Sequence, residues 1–412
     1  MQIVKNQDKS FIVFLWLLSL VSLYYNYRSV AFVQQIPFGK GFVGLLMMAS
    51  EALLIILAVR AYREYSIETR PFVRFIILLT IAYNTAHIAY AAIWDRDAAY
   101  LSLFGNPQYQ PLFMLPIAFF IGFKQNFFPS LYKCVWYYVL LVVPIYIITG
   151  YVEPLAGVGI IFLLAFASYL PRKRRMLLIG VAILYILFSY YVDARACALR
   201  ALMGGAILLY SYMPLYKSTI VKVAIFLAGV VLPIYFLRVY ITTGNSVFEQ
   251  VITTSYFENV EEEHAVDTRT FLYEEVFEDL TENNAWIFGK GISGTYYSSF
   301  FDHKDGLENR FGAEVGLLYS LLKGGIIQAV LYMVILLIAI YRCLIRSNSK
   351  CVVLLGLILL SHYVLLFVEE IPHYDLYNIA TWFYMGMACS ISLEEQEDEW
   401  CEEQFNLMFT KQ

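Results

Sequence analysis

Long apolar segments, separated by short polar turns, follow one another along most of the chain. A helix that crosses the hydrocarbon core of a bilayer needs about 20 mostly apolar residues. With a window of that length, the sequence predicts about twelve spanning helices. They centre on residues 11–27, 42–59, 72–93, 108–123, 132–149, 154–170, 176–192, 194–213, 219–241, 313–341, 351–369 and 376–393. The fourth and sixth are short and interrupted by Pro or Gly. The pattern therefore predicts an all-α, polytopic integral membrane protein.

The composition agrees with this prediction and excludes other classes of protein. Hydrophobic residues make up 60% of the 412 residues and charged residues only 15%, whereas an average soluble domain carries about 25% charged residues. A chain so poor in charge is excluded as a soluble enzyme or a disordered protein. A net charge of -4 with one short basic run excludes a nucleic-acid-binding protein. The six Cys residues show no spacing typical of a zinc site or a disulfide framework, so we expect reduced thiols.

The distribution of Lys and Arg predicts the orientation in the membrane. Cytoplasmic turns are enriched in basic residues, and an N-terminus inside the cell places Arg172–Arg175 and Arg342–Lys350 in such turns. The first apolar segment lacks a small-residue cleavage site, so we interpret it as a retained anchor. The predicted organisation is spans one to nine over 1–241, an extracytoplasmic loop over 242–312, spans ten to twelve over 313–393, and an acidic tail over 394–412. We expect both termini in the cytoplasm and a solvated, flexible tail.

The predicted loop over 242–312 is far longer than an ordinary connection. It holds fourteen Asp or Glu against four Lys or Arg, a balance of -10. Within it, Asp267–Leu280 has helical spacing, and Asp267 suits the N-cap position. Apolar side chains recur at i, i+3, i+4 and i+7, namely Tyr273, Val276, Phe277 and Leu280. We expect this helix to lie along the membrane surface with its apolar face toward the lipid.

A glycine-rich run follows this helix. Residues Gly289–Gly294 spell G-x-G-x-x-G, but the dinucleotide fingerprint also needs a preceding buried strand and a following helix. Neither is predicted here, and nucleotide cofactors are not supplied outside the cell. We therefore interpret the run as a flexible turn that lets the backbone approach a ligand or a lipid headgroup.

Five arginines predicted on the outer side are candidates for binding an anion. Arginine placed against the positive-inside trend usually has a partner or a function, and guanidinium groups match phosphate oxygens. The candidates are Arg195, Arg200, Arg238, Arg269 and Arg310. The alternative is local pairing, as between Arg195 and Asp193 or between Arg310 and Glu314 at i, i+4. Arg269 also opens a helix, where free N–H groups favour an anion.

Polar residues within the predicted spans are few. They are Glu51, Asn84, His87 and His362. Hydrogen bonding between helices is one interpretation, and an ion or proton path, as in a transporter, is the other.

Three segments in the second half of the chain resemble the O-antigen polymerase and ligase superfamily, which acts on lipid-linked surface polysaccharides of bacteria. They are Arg269–Phe277 (RTFLYEEVF), Trp286–Gly291 (WIFGKG) and Glu314–Ile327 (EVGLLYSLLKGGII), and they follow an arginine, Arg195, ahead of the predicted eighth span. The resemblance covers roughly 176–342, and its motifs are short. Ligase-type members carry a His where this chain has Glu314, which favours a polymerase over a ligase. That departure makes Glu314 the candidate base, with His303 as the alternative.

The resemblance implies a glycosyltransferase that polymerises undecaprenyl-diphosphate-linked oligosaccharides on the outer face of the inner membrane. It implies catalytic roles for Arg195 and Arg269 at the diphosphate, with Glu314 as the base and Arg200, Arg238 and Arg310 as weaker diphosphate candidates. Further substrate-binding candidates are Asp193, His303, and the aromatic side chains of Trp286 and Tyr296, which could stack on sugars. It implies no cofactor and no metal, and as partners the lipid-linked donor and acceptor, the bilayer and a chain-length regulator. A flippase or transporter of lipid-linked oligosaccharides is the alternative from another class.

Overall fold

The computed structural model describes residues 9–27, 39–65, 69–97, 114–149, 159–191, 194–243, 268–298, 309–369, 372–394 and 398–409. Nearly all of these residues are helical, which agrees with the predicted all-α class. The described residues also include one pair of two-residue strands in the predicted loop and an isolated β-bridge between Thr69 and Ser390. Each of the twelve predicted spans contains a helix, and further helices lie in the loop and in the tail.

The helices are numbered here in chain order. They are α1 (Lys9–Tyr27), α2 (Gly39–Tyr65), α3 (Pro71–Trp94), α4 (Met114–Ile121), α5 (Phe128–Thr149), α6 (Ile160–Ala165), α7 (Arg172–Tyr191), α8 (Arg195–Ser211), α9 (Thr219–Thr243), α10 (Thr268–Glu282), α11 (Gly316–Tyr341), α12 (Lys350–Leu365), α13 (Leu376–Cys389), α14 (Ile391–Glu394) and α15 (Asp398–Phe409). The strands are β1 (Tyr296–Tyr297) and β2 (Asn309–Arg310), and they pair antiparallel with Tyr296 opposite Arg310.

Six helices among the described residues are long and apolar enough to cross a membrane. They cover Phe42–Tyr65, Pro71–Trp94, Gln125–Thr149, Arg172–Tyr191, Thr219–Val239 and Gly316–Arg346. Three shorter apolar helices cover Lys9–Tyr24, Ala196–Ser211 and Lys350–Leu365. The protein is therefore a membrane-embedded helical protein in which six spans, rather than the predicted twelve, meet the length criterion in the described ranges.

The interior of the bundle is dominated by aromatic and aliphatic side chains. Helices α4 and α6, which lie in the predicted fourth and sixth spans, have eight and six residues. Nearly every side chain in them is buried within the protein. Phe162 of α6 stacks on Tyr377 of α13 with ring centroids 5.0 Å apart. Because these short helices face other helices on all sides, they form the core rather than the lipid-facing surface.

The tail differs from its predicted solvated and flexible state. Residues 398–409 form α15, in which Cys401 and Phe405 are completely buried. The Phe405 ring stacks on Tyr169, with centroids 5.4 Å apart. At its start, Asp398 accepts hydrogen bonds from Ser349 Oγ at 2.9 Å and from Lys350 N, so it caps α12. The acidic composition of this segment masked the apolar side of α15 in the sequence. The prediction of a solvated, flexible tail was therefore wrong for residues 398–409.

The expectation of reduced thiols is also corrected at one pair of cysteines. Cys351 of α12 and Cys401 of α15 form a disulfide, with Cα atoms 6.1 Å apart. The remaining four cysteines are free thiols, three of them buried. Two cysteines fifty positions apart carry no spacing signal, so sequence reasoning could not pair them.

Candidate active site

Helix α10 presents its predicted apolar face to the rest of the protein. Val276 and Leu280 are completely buried, Tyr273 nearly so, and Phe277 partly. They pack into a cluster with side chains at the start of α11, namely Val315, Leu318, Leu321 and Leu322. The helical spacing is confirmed. The expectation that this face lies on lipid was wrong, because the protein itself covers it.

Two hydrogen bonds attach this assembly to the end of α12. The hydroxyl of Tyr273 donates to Phe367 O at 2.8 Å. The backbone N–H of Leu317 donates to Leu366 O at 3.0 Å. Both acceptors are carbonyls at the C-terminal end of α12, which a helix leaves without partners of its own. Helices α10, α11 and α12 therefore meet at one end of the bundle.

The two glycine-containing motifs of the resemblance form a single structural unit. Backbone hydrogen bonds join them, from Lys290 N to Leu322 O (2.7 Å), from Gly291 N to Lys323 O (3.0 Å), from Ile326 N to Trp286 O (2.8 Å) and from Ile327 N to Ile287 O (3.4 Å). We call residues 286–291 the WIFGKG turn. It runs beside α11 and pairs with the residues on either side of a break in that helix.

Glycine is required on both sides of this contact. Helix α11 breaks at Gly325, which has φ 65° and ψ -167°, and Gly289 has φ 69°. Left-handed φ values of this kind favour glycine. A Cβ added at Gly325 would lie 2.2 Å from Ile287 O, and one added at Gly289 would lie 2.6 Å from Gly325 N. The backbone that the glycine run approaches is that of α11, so the interpretation as a flexible ligand-facing turn is corrected.

Lys323 fixes the residues that follow the WIFGKG turn, and sequence reasoning missed it. Its side chain is completely buried. The ammonium donates to Ile292 O at 3.0 Å and to Gly294 O at 2.6 Å, and it lies 3.2 Å from the ring centroid of Phe311. A buried cation needs such partners. The available signal was a lysine inside an apolar helix, directly before two glycines.

Polar contacts also hold the turn to α10. Lys290 Nζ lies 2.8 Å from both carboxylate oxygens of Asp279 and donates to Thr295 O at 2.6 Å. Trp286 Nε1 donates to Thr281 Oγ1 at 3.0 Å, and its ring lies 5.2 Å from that of Phe277. Trp286, which was predicted to stack on a sugar, thus packs against α10.

Three predicted site residues come together beside the strand pair. Arg310 Nη2 donates to Glu314 Oε1 at 3.0 Å, which is the i, i+4 pairing predicted as the alternative to anion binding. Tyr296 is completely buried opposite Arg310. Burial raises the pKa of Tyr296 to about 12, Arg310 opposes that rise, and Glu275 and Glu314 add to it. The phenol is therefore neutral at physiological pH and inaccessible to a sugar, while neighbouring Tyr297 is exposed.

Arg200 belongs to a second cluster of charged side chains, with Glu369. Its side chain is only 2% exposed. Arg200 Nη1 is 3.9 Å from Glu369 Oε2, and the guanidinium carbon lies 5.9 Å from the ring centroid of Tyr377. Glu369 follows α12, two residues from the carbonyl that accepts from Tyr273. Sequence reasoning missed Glu369. The available signal was a carboxylate at the end of a long apolar segment.

For most of the remaining predicted site residues, the structure does not describe the side chains. Arg238 lies near the end of α9 with an exposed side chain. Arg195 is the first residue of α8 and Arg269 the second of α10, so both stand in a first helical turn, where free N–H groups favour an anion. Their side chains, with Asp193 and His303, lie outside the described part of the structure. The convergence of Arg195 and Arg269 stays a prediction.

No protein-family model, curated protein or solved structure matches the chain significantly.

Proposed function

We propose that the protein is a membrane glycosyltransferase that joins lipid-diphosphate-linked oligosaccharides into a surface polysaccharide, as an O-antigen polymerase does. The reaction is a substitution at the anomeric carbon of the donor sugar. An acceptor hydroxyl forms the new glycosidic bond, the bond from that carbon to the diphosphate oxygen breaks, and the hydroxyl proton passes to a base. The diphosphate leaves with the bonding electron pair.

One observation carries the proposal. The segments WIFGKG and EVGLLYSLLKGGII, on which the resemblance rests, are separate in sequence and form one hydrogen-bonded unit in the structure. This unit holds α10, with Arg269 in its first turn, against the start of α11, where Glu314 lies. An active site for group transfer needs such fixed relative positions for the group that binds the leaving group and for the base.

The described contacts divide the candidate arginines by role. Arg310 and Arg200 are already compensated by Glu314 and Glu369, so a diphosphate would have to compete with a carboxylate for each. Arg195 and Arg269 stand at helix N-termini, where backbone N–H groups add to the attraction for an anion. We therefore keep the diphosphate role for Arg195 and Arg269 and assign Arg310 to positioning the Glu314 carboxylate.

Two features of Glu314 support its proposed role as the base. Its side chain is 38% exposed, so an acceptor hydroxyl can approach it, and one oxygen is held by Arg310 while the other is free to face a substrate. A positioned carboxylate of this kind contributes about 100- to 10,000-fold to a reaction as a general base.

The decisive experiment is polymerisation by the purified protein in detergent. Lipid-diphosphate-linked repeat units are supplied as donor and acceptor, and products are resolved by length. We expect a ladder of longer lipid-linked products together with released lipid diphosphate. Detergent solution has no compartments, so a flippase would leave the repeat units unchanged. Unchanged repeat units, with the protein intact by size-exclusion chromatography, would contradict the proposal and favour the transporter.

A further inference from the structure

The WIFGKG turn carries two large apolar side chains that the protein does not cover. Ile287 is 57% exposed and Phe288 is 61% exposed. Both sit on a backbone fixed to α11 by hydrogen bonds at Trp286 O and Ile287 O. A fixed turn that presents two bulky apolar side chains outward needs an apolar environment to meet them.

The position of α11 against α3 gives the depth of this turn. The hydroxyl of Tyr83 donates to Gly324 O at 2.8 Å. Tyr83 lies close to the middle of α3, a helix of 24 residues. At 1.5 Å per residue, Tyr83 is about 16 Å from the end of α3 at Trp94. Trp94 and Tyr90 are exposed aromatics of the kind that mark a membrane interface. The break in α11 therefore lies well inside the span of α3.

The exposed surface of α11 continues that of the turn. Ile326, which donates its N–H to Trp286 O, is 45% exposed, and Val330, one helical turn further, is 51% exposed. Both belong to a segment long and apolar enough to span the bilayer, so their exposed side chains face lipid. Ile287 and Phe288 extend this lipid-facing surface sideways from the helix.

Two carbonyls of the turn also meet a demand of the bilayer. Peptide groups in hydrocarbon must be hydrogen-bonded within the protein. Trp286 O and Ile287 O accept from α11, and Gly289 N donates to Ala285 O at 2.8 Å. The polar Lys290 is directed to Asp279 and Thr295, and Lys323 to Ile292 and Gly294. The two lysine side chains thus turn inward, whereas Ile287 and Phe288 turn outward.

We propose that residues 286–288 form a re-entrant edge of the long loop, immersed in the hydrocarbon of the bilayer, with Ile287 and Phe288 in contact with lipid acyl chains. The break at Gly325 makes room for this edge beside α11. Helix α10 is consequently anchored to the membrane through the turn that follows it, rather than through its own apolar face. The inference concerns membrane contact and holds whichever reaction the protein performs.

Spin-label accessibility tests this proposal. Phe288→Cys is made in a background where Cys134, Cys197, Cys343 and Cys389 are replaced and the disulfide is kept. The labelled protein is reconstituted in phosphatidylglycerol–phosphatidylethanolamine vesicles. Power saturation is then measured with oxygen, which concentrates in hydrocarbon, and with a water-soluble nickel chelate. Val330→Cys is the lipid-facing control, and Tyr297→Cys, on the exposed side of β1, is the control outside the proposed edge.

We expect the label at 288 to match the label at 330, with oxygen relaxing it several-fold more than the nickel chelate does. The label at 297 should show the reverse order. Ile287→Cys supplies an independent second position if the variant at 288 does not accumulate. Nickel accessibility at 287 or 288 equal to that at 297 would overturn the proposal and place the turn in water or against a soluble partner.

Discussion

Gly289 and Gly325 meet backbone to backbone. A Cβ added at either glycine would come within 2.6 Å of the other's backbone nitrogen, and both glycines have left-handed φ values, 69° and 65°. The contact lets the WIFGKG turn lie directly against the break in α11. It therefore fixes the position of α10, which carries Arg269, relative to Glu314.

Gly325→Ala should disturb this contact. The added methyl group meets Ile287 O, and Ala is strained at a positive φ, so we expect a loss of about 1–3 kcal/mol of local stability. Hydrogen exchange of the amides of α10 and of residues 286–291 measures the effect. Gly180→Ala is the matched control, because a Cβ there meets nothing within 4 Å and Ala favours a helix. Equal exchange in the two variants would show that the glycine contact does not hold the turn.

Lys323→Met should release the residues after the turn while keeping much of the side-chain volume. The carbonyls of Ile292 and Gly294 lose their donor, and a buried unsatisfied acceptor costs about 1–3 kcal/mol. We expect faster proteolysis within 290–298 and a lower unfolding temperature in detergent. Lys217→Met, at an exposed lysine, is the control. If both variants unfold at the wild-type temperature, the buried ammonium is not a structural contact.

Glu314→Gln should reduce polymerisation by about 100- to 10,000-fold in kcat, the range for loss of a general base. Arg310→Lys should retain a larger share of activity than Arg310→Ala, because a lysine can still reach the carboxylate. The measurement is product formation by purified protein with lipid-linked repeats. Glu278→Gln, on the exposed side of α10, is expected to behave as wild type. A Glu314→Gln variant as active as Glu278→Gln would remove Glu314 from the mechanism.

Phe405→Ala should destabilise the protein through its tail. The ring is 1% exposed and contacts Tyr132, Tyr169 and Phe166, and loss of a buried Phe costs about 3–5 kcal/mol. Thermal unfolding in detergent checks this, with exposed Glu403→Ala as the control within ~0.5 kcal/mol of wild type. Equal unfolding temperatures for the two variants would show that the packing of Phe405 does not stabilise the protein.

Helical periodicity predicted the all-α class and the buried side of α10, but not what covers that side. The spacing of Tyr273, Val276 and Leu280 identified the buried side of α10 correctly. It could not tell whether lipid or protein covers that side, because both favour apolar residues. In the tail, the apolar positions Cys401 and Phe405 recur at i, i+4, but the surrounding glutamates made the segment resemble a solvated end.

The contacts at the candidate site that could not be predicted join residues far apart in the sequence. The Gly289–Gly325 contact is between two backbones, so the pattern of side chains along the sequence could not predict it. The Arg200–Glu369 pair joins segments distant along the chain, and each residue taken alone suggests only a charge near the end of a span. The Arg310–Glu314 pair was predictable because its partners lie only four residues apart in sequence, although neither lies in a helix.

The central claim is that Arg195 and Arg269 bind the same departing diphosphate, and chain-length analysis of variants tests it most directly. Arg195→Ala, Arg269→Ala and the double variant are assayed for polymerisation at equal protein level, with Lys217→Met as the reference variant. We predict that each single substitution strongly reduces the amount of long products and that the double variant loses little more than either alone, as for groups acting on one ligand. Long chains of wild-type length from either single variant would contradict the claim.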